Sequence, residues 1–405
     1  MPSVAIIGSR GYPSYYGGFE TLVRRLAPYL ADAGWDVTVY GRPGLAADDP
    51  DRDERVRSVI TPGVESKKLS TLSYGLSASS SAFARHPDVA LVLNCANGYW
   101  LPILKARGIP TVVNVDGIEW ERGKWGRSAR AVFRGGAKLT ARFADELVFD
   151  AKAIGEYWQQ NFGRDGEFIP YGGDARPELP VEPGLTSGAY ALVVARFVEE
   201  NTINEFADAA ERLAADHDVV FVGSSGYGGE IDQRIERLAA ANPRVHWLGH
   251  VKDDLRLHSL WQHAGAYFHG HSVGGTNPAL VQAMMLGAPI IARDTVYNRE
   301  VLGGSGLLVA PDAGLIAEAA DRLVRSPDLR ALLGGNAKAR AEAAYTWEGV
   351  CDRYESLLWA YATGQARERV RADVRAALPG LLGLPAAAEQ PEPAQEPVER
   401  TVEAR

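Results

Sequence analysis

The chain has 405 residues, 46% of them hydrophobic and 23% charged, an ordinary globular composition that suits two cored domains better than one. Its formal net charge of -8 argues against a general nucleic-acid binder, and no apolar run is long enough to span a bilayer. Cys95 and Cys351 stand far apart in no metal spacing and read as reduced, buried thiols. No basic-then-apolar leader precedes the first strand, so the chain is expected to act in the cytoplasm.

Residues 4–7 form a short apolar run ending in Gly8, as in a buried parallel strand. The segment GSRGYPSYYGGFE follows, and a helix is expected over 19–30, with Leu22, Leu26, Tyr29 and Leu30 on one face. Gly17 and Gly18 sit just before that helix. Their spacing is not that of the dinucleotide fingerprint. The pair reads either as a plain turn or as backbone brought close to donor phosphates or an acceptor. Residues 37–40, 89–93, 111–115 and 147–149 read as further strands, and their alternation with helices implies a doubly wound parallel sheet. Asp116, in NVDGIEWERGKW, stands at the carboxyl end of a strand, where open α/β sheets gather ligand-binding groups. Its alternative is a bare Asp-Gly turn.

Arg127, Arg130, Arg134, Lys138 and Arg142 follow at helical spacing, with Phe133, Leu139 and Phe143 off their face. Gly135-Gly136 is a candidate break in that helix. The stripe reads either as a solvated face or as a cationic surface for anionic lipid, at about 1 kcal/mol per residue near a membrane. Residues 176–188 are rich in Pro and Gly and read as a linker. A second α/β unit begins at Tyr190. Arg196 directly follows its first strand, and Gly223-Ser224-Ser225-Gly226 follows its second.

The densest functional signal is HGHSVGGTNPALVQAMMLG, from His269. A strand runs into a loop with Gly274 and Gly275. Thr276 and Asn277 lead into a helix with Pro278 at its start, a terminus suited to a phosphate. His269-x-His271 could form a metal pair, but no third or fourth ligand is spaced to complete it. Residues 312–344 read as mostly helical, and Tyr345-Thr346-Trp347 opens a last helix with Val350, Tyr354, Leu357, Leu358 and Tyr361 on one face. After Leu384 the sequence turns to Pro, Glu and Ala and is expected to be disordered.

These motifs resemble the family-four retaining glycosyltransferases of the GT-B fold. The openings GSRGYPSYYGGFE and NVDGIEWERGKW, and HGHSVGGTNP followed by NREV (Asn298 to Val301), are similar to a bacterial polysaccharide rhamnosyltransferase subgroup. In the family a Glu-x7-Glu motif holds the sugar and ribose. Here the first acid falls near Gly274 and Gln282 replaces the second. Many members carry His near Asp116, and a Lys where Asn201 stands. The resemblance implies two Rossmann-like domains facing a cleft: residues 1–175 on the acceptor side, a linker over 176–188, and a nucleotide-sugar domain over 189–345. A helix over 346–365 would cross back, with the tail at 385–405. It implies metal-independent transfer of a hexose, L-rhamnose from dTDP-rhamnose, to a glycan or polyprenyl-diphosphate-linked glycan, with no cofactor. Asp116 and Arg196 are the expected catalytic residues. Donor contacts are expected from Gly17, Gly18, Arg196, Asn201, Gly223, Val251, His271, Gly274, Gly275, Thr276, Asn277 and Gln282. Tyr12, Glu119, Arg127, Arg130 and Arg134 are placed on the acceptor side, near the inner face of the plasma membrane. Two rival readings are a nucleotide-sugar 2-epimerase on this fold and a degenerate transferase kept as a binding scaffold.

Overall fold

The computed structural model describes residues 1–366, except 16, 45–48, 67–68 and 123–124. The tail expected at 385–405 lies outside the described residues. The first sheet holds β1 (Ser3–Ile7), β2 (Asp36–Gly41), β3 (Arg57–Ile60), β4 (Val89–Leu93), β5 (Thr111–Asn114), β6 (Glu146–Phe149) and β7 (Glu167–Phe168), in the order β3-β2-β1-β4-β5-β6-β7. All its pairs are parallel, with Val4 opposite both Val37 and Val89. Both faces are covered: Val4 and Ile6 enter one core, and Ala5 and Ile7 the other. A strand buried on two faces reads as an unbroken apolar run, which is why β1 and β4 were visible in the sequence.

The second sheet repeats the plan. It holds β8 (Tyr190–Val194), β9 (Asp218–Val222), β10 (Val245–Trp247), β11 (Ala266–His269), β12 (Ile290–Arg293) and β13 (Leu307–Val309), in the order β10-β9-β8-β11-β12-β13, all parallel. In each sheet the direction of strand addition reverses beside the first strand, between β1 and β4 and between β8 and β11. Such switch points leave a crevice beyond the strand ends, where α/β sheets take ligands.

The segment between the sheets is pinned to the second: Leu179 N donates to Gln262 Oε1 (2.9 Å), and Arg256 pairs with Glu182 (2.6 Å). The helix Trp347–Ala362 returns to the first domain, where Val350, Cys351, Tyr354 and Leu358 complete the core under β1 and β4. Tyr361 donates to Glu146 (2.7 Å) and Trp35 Nε1 to Glu355 (3.1 Å), fastening the same helix. Both cysteines are buried free thiols, and burial pushes Cys351 up to about 12. None of the described helices is long and apolar enough to cross a membrane.

The basic stripe lies on one continuous helix, Arg127–Phe143, and Gly135-Gly136 does not break it. The glycines serve packing instead. A Cβ on Gly136 would stand 2.8 Å from Cys95 O, and one on Gly98 would stand 2.2 Å from Gly136 O. Only bare backbone lets this helix lie so close to the Cys95–Trp100 turn.

Candidate active site

Two strand ends of the first domain carry strained backbone. Asn94, after β4, and Asp116, just beyond β5, have φ of 72° and 63°. This left-handed region suits Asn and Asp better than other side chains, and it clusters at functional sites. A hydrogen-bond chain holds the pair. Asn114 Nδ2 donates to the Tyr354 hydroxyl (2.7 Å), Asp116 N donates to Asn114 Oδ1 (3.0 Å), and Asn94 Nδ2 donates to Asp116 Oδ2 (3.3 Å). Asp116 is thereby aimed into a cavity of about 510 Å³ that Gly8, Asn94, Glu119 and Arg196 also line. The two switch points therefore face one another across one space.

Arg196 makes no ion pair among the described residues, because Glu200, its sequence neighbour, reaches Arg122 instead (3.7 Å). Arg122 also meets Glu119 (2.8 Å), whose second oxygen accepts from Trp125 Nε1 (3.1 Å). Arg196 also lines an adjoining cleft of about 1150 Å³, with Arg293, Ser272 and Tyr227. Arg293 stands at the end of β12 and donates to Thr202 Oγ1 (3.0 Å). Arg293 thus brings a second cation from another strand to the cleft that Arg196 lines. Asn201 itself is buried, and its Nδ2 donates to Arg196 O (2.9 Å), which braces the loop.

The loop after β11 is clamped to the first domain. Thr276 donates through its backbone N (3.3 Å) and its hydroxyl to Asp150 O, just past β6. The Asp150 carboxyl lies against Gly275, where an added Cβ would come within 2.0 Å of Oδ1. Glu300, from the NREV motif, accepts from Lys152 N (2.9 Å) and Ala153 N (3.3 Å), the first amides of the Lys152–Phe162 helix. Gly274 faces Gly117, whose Cβ would stand 3.3 Å from Gly274 Cα. Asn277 Oδ1 accepts from Ala279 N (3.0 Å) and caps the Pro278–Met285 helix.

Gln282 departs from the expected ribose contact. Its Nε2 donates to Asp174 O (2.8 Å) and its Oε1 accepts from Asp174 N (2.9 Å), which spends the amide on the crossing between domains. An amide serves both backbone groups at once, which an ionised carboxylate cannot, so Gln here is matched to the hinge. Val251 turns into the second core, and Gly223 closes its loop through Gly249 O (2.7 Å) and Trp247 Nε1 (2.9 Å). Gly18 opens the Gly18–Asp32 helix against the Tyr171 hydroxyl, and Gly17 precedes it near Glu20. Tyr12, expected on the acceptor side, is 1% exposed; its hydroxyl donates to Asp51 O (3.2 Å) and accepts from Asp53 N (3.1 Å), a structural pin. Arg127, Arg130 and Arg134 are exposed on the basic helix.

Burial decides the protonation of three groups. It pushes His271 down to about 3, with Arg196 and Arg122 adding repulsion, and pushes His269 well below its ordinary value. The two rings stack 4.3 Å apart at 13°, so their nitrogens lie in near-parallel planes and do not converge on one point. Among the described residues, no group of three or more His, Cys, Asp or Glu is placed to hold a metal. Burial, reinforced by Asp116, pushes Asp150 up to about 8, which keeps it protonated at neutral pH. Arg10, Arg42, Arg122, Asp150, Arg293 and Glu300 were not anticipated as a set. Arg10, Arg42, Asp150 and Arg293 share one legible signal, a polar side chain at or just past a strand end.

Paired switch points over one cleft, with a free arginine on one side and a strained aspartate on the other, define a two-domain transferase of the GT-B type. The family models agree: residues 17–172 match the glycosyl transferase 4-like domain, and residues 188–326 match the glycosyl transferases group 1 domain. The chain is a glycosyltransferase of the GT-B fold, with a glycosyl transferase 4-like domain followed by a group 1 domain. Its structure is similar to sucrose-phosphate synthase from Thermosynechococcus elongatus (20% identity, 92% of this chain and 100% of that one, TM-score 0.73). It is also similar to Anabaena HepE in complex with UDP-glucose (18%, 89% and 100%, 0.68) and to a glycosyltransferase from Rickettsia africae (12%, 89% and 98%, 0.65). No curated protein matches the sequence.

Two substitutions probe this geometry. Gln282→Glu keeps an acceptor for Asp174 N but sets a carboxylate against Asp174 O. It should lower stability by about 1–3 kcal/mol in urea denaturation, and unchanged stability would show that the amide pair is dispensable. The second concerns pH. The unfolded chain releases the Asp150 proton near pH 4, the native chain only near pH 8, so stability should erode as pH rises through that window. Asp150→Asn has the same shape without a charge and should flatten that slope in denaturation series at pH 5, 6.5 and 8. A slope identical to the parent's would mean the carboxyl is ionised in the native state.

Proposed function

We propose that the protein moves a sugar from a nucleoside-diphosphate sugar to a glycan or lipid-linked glycan, with retention. The single observation that carries this is Arg196, an unpaired guanidinium at the switch point of the second sheet, facing Asp116 across the cavity. Arg196 holds the donor diphosphate, and Arg293 adds a second positive charge at the next strand end. A guanidinium can bind phosphate with two parallel hydrogen bonds, and each charged bond contributes roughly 1.5–3 kcal/mol. Both stabilise the charge that builds on the leaving diphosphate, an electrostatic task for preorganised donors. Asp116 orients the acceptor hydroxyl or a donor-sugar hydroxyl by accepting a hydrogen bond. Asp150 is protonated and packed against Gly275, which leaves it unsuited to attack an anomeric carbon. Transfer on the front face of the donor, without a glycosyl-enzyme intermediate, fits this arrangement better than double displacement. L-Rhamnose and dTDP are the preferred donor parts, on the strength of the opening, Asp116 and donor-loop motifs.

The exposed face of the Arg127–Phe143 helix carries Arg127, Arg130, Arg134, Lys138 and Arg142 beside Val132, which is 39% exposed. On a chain of net charge -8 this local reversal suits the inner leaflet of the plasma membrane.

A thermal-shift panel of dTDP-rhamnose, UDP-glucose, GDP-mannose and the free diphosphates tests the donor. One nucleotide should stabilise the chain selectively, by roughly 2.7 kcal/mol at 100 times its dissociation constant. Arg196→Ala should weaken that binding roughly ten- to hundred-fold. No shift with any nucleotide would overturn the donor reading. For the membrane face, flotation with anionic liposomes should carry the parent but not a variant with Arg127, Arg130 and Arg134 changed to Glu. Equal flotation with neutral liposomes would remove the electrostatic account.

A further inference from the structure

The Ser70–Arg85 helix of the first domain lies at the surface yet is almost without charge. In a chain that is 23% charged, residues 70–84 hold no Asp, Glu, Lys or Arg. Leu69, Leu76 and Phe83 recur along it at steps of seven, which keeps them on one face. They stay 53%, 40% and 38% exposed. The serines among them bond to the helix itself: Ser80 donates to Leu76 O (2.8 Å) and Ser77 to Tyr74 O (3.1 Å). Such bonds satisfy the hydroxyl protons without water. Val64, 56% exposed, is tied to the same helix, because its backbone N donates to Ser73 Oγ (2.9 Å). Glu65, the next residue, meets Arg42 (3.5 Å). Single apolar residues on a surface are ordinary, but a charge-free stripe about 21 Å long marks an interaction face.

The stripe has a cationic neighbour. The Ser70–Arg85 helix and the basic Arg127–Phe143 helix both pack on the Cys95–Trp100 turn. A Cβ on Gly75 would stand 2.0 Å from Asn97 Oδ1, and one on Gly135 would stand 2.3 Å from the Tyr99 hydroxyl. The N-terminal halves of both helices border the 510 Å³ cavity, with Leu69 and Leu72 from one and Ser128 and Val132 from the other. At the far end of the stripe the Arg107 guanidinium lies 5.6 Å over the Phe83 ring. Neither helix carries an acid. A symmetric pairing of two copies through this face would therefore set cation against cation. An anionic bilayer matches both parts at once, because apolar side chains reach its acyl boundary while Lys and Arg meet its headgroups.

We propose that the Ser70–Arg85 helix is a membrane-insertion element. Its Leu69, Leu76 and Phe83 face, together with Val64, enters the headgroup–acyl boundary of an anionic bilayer while the basic helix holds the headgroups. This sets the rim of the cavity that holds Asp116 at the membrane surface. An acceptor with a lipid part then keeps that part in the bilayer and presents only its head to the cleft. That last step rests on the transferase reading, whereas insertion itself stands on the exposed stripe and its basic neighbour.

The test places an environment-sensitive nitrobenzoxadiazole label on Leu76→Cys and, as a reference, on Leu332→Cys, a position 59% exposed on the second domain. Both native thiols are buried and leave the introduced one to react. The full chain is mixed with vesicles of phosphatidylglycerol and phosphatidylcholine in equal parts. At residue 76 emission should shift to the blue and rise at least twofold, and nitroxide-bearing acyl chains should quench it; residue 332 should show neither. Val64→Cys carries the label if Leu76→Cys does not fold. The unlabelled double variant Val64→Ser, Leu76→Ser should partition at least tenfold more weakly and lose the binding that survives high salt. Vesicle-bound protein whose label at residue 76 stays unquenched would overturn insertion and leave docking by the basic helix alone. A blue shift that grows with protein concentration in the absence of vesicles would make the stripe a contact between copies and also overturn it. No vesicle binding by the parent would remove both membrane readings, while selective stabilisation by one nucleotide would still uphold the transferase.

Discussion

The relation between the two domains depends on a four-residue segment, Asp150 to Ala153, where β6 gives way to a helix. The second domain reaches it twice. Thr276 bonds to the carbonyl of Asp150, and the Glu300 carboxylate sits on the first amides of the following helix. Those amides have no partner inside the helix and stand at the positive end of its dipole, so a carboxylate is their natural cap. The cap comes from the other domain, so one set of hydrogen bonds both finishes a helix and fixes the width of the cleft. Gly275 follows from this closeness, because a side chain there would collide with Asp150, and one at Gly117 would crowd Gly274.

Electrostatics within the cleft follows the same closeness. Asp116, Asp150, Glu119 and Glu200 gather around one largely buried cation, Arg122, which pairs with Glu119 and Glu200. Burial first, and then the charge of Asp116, hold the enclosed Asp150 in its protonated form. Arg196 escapes this network because Arg122 occupies Glu200. The neighbouring ion pair thus leaves Arg196 without an ion pair among the described residues.

Much of the fold was legible because strands buried on both faces are unbroken apolar runs, as in 4–7, 89–93 and 190–194. The short edge strands β3, β7 and β13 carry few fully buried residues and gave no such signal. The helix with Gly135-Gly136 was open to misreading, because a glycine kept for close packing looks the same in sequence as one that ends a helix. At the site, strand-end positions pointed to Asp116 and Arg196, and the fold brings both to the wall of one cavity. Gln282, Asn201 and Tyr12 were placed by analogy of position, but their partners are backbone groups far along the chain: Asp174, Arg196 and the Asp51–Asp53 turn. Glu300 and Asp150 were hidden for the converse reason. Each is ordinary locally and gains meaning only from the other domain.

The Tyr354 hydroxyl, from the helix that closes the first core, accepts from Asn114 and so sets the backbone of Asp116. The aspartate belongs to the first domain, yet its support is synthesised after the whole of the second. A ribosome-bound chain exposing only its first half would have the strands but not the aimed carboxylate. Order of synthesis thus bears on the cleft: the Tyr354 support of Asp116 leaves the ribosome only after both domains.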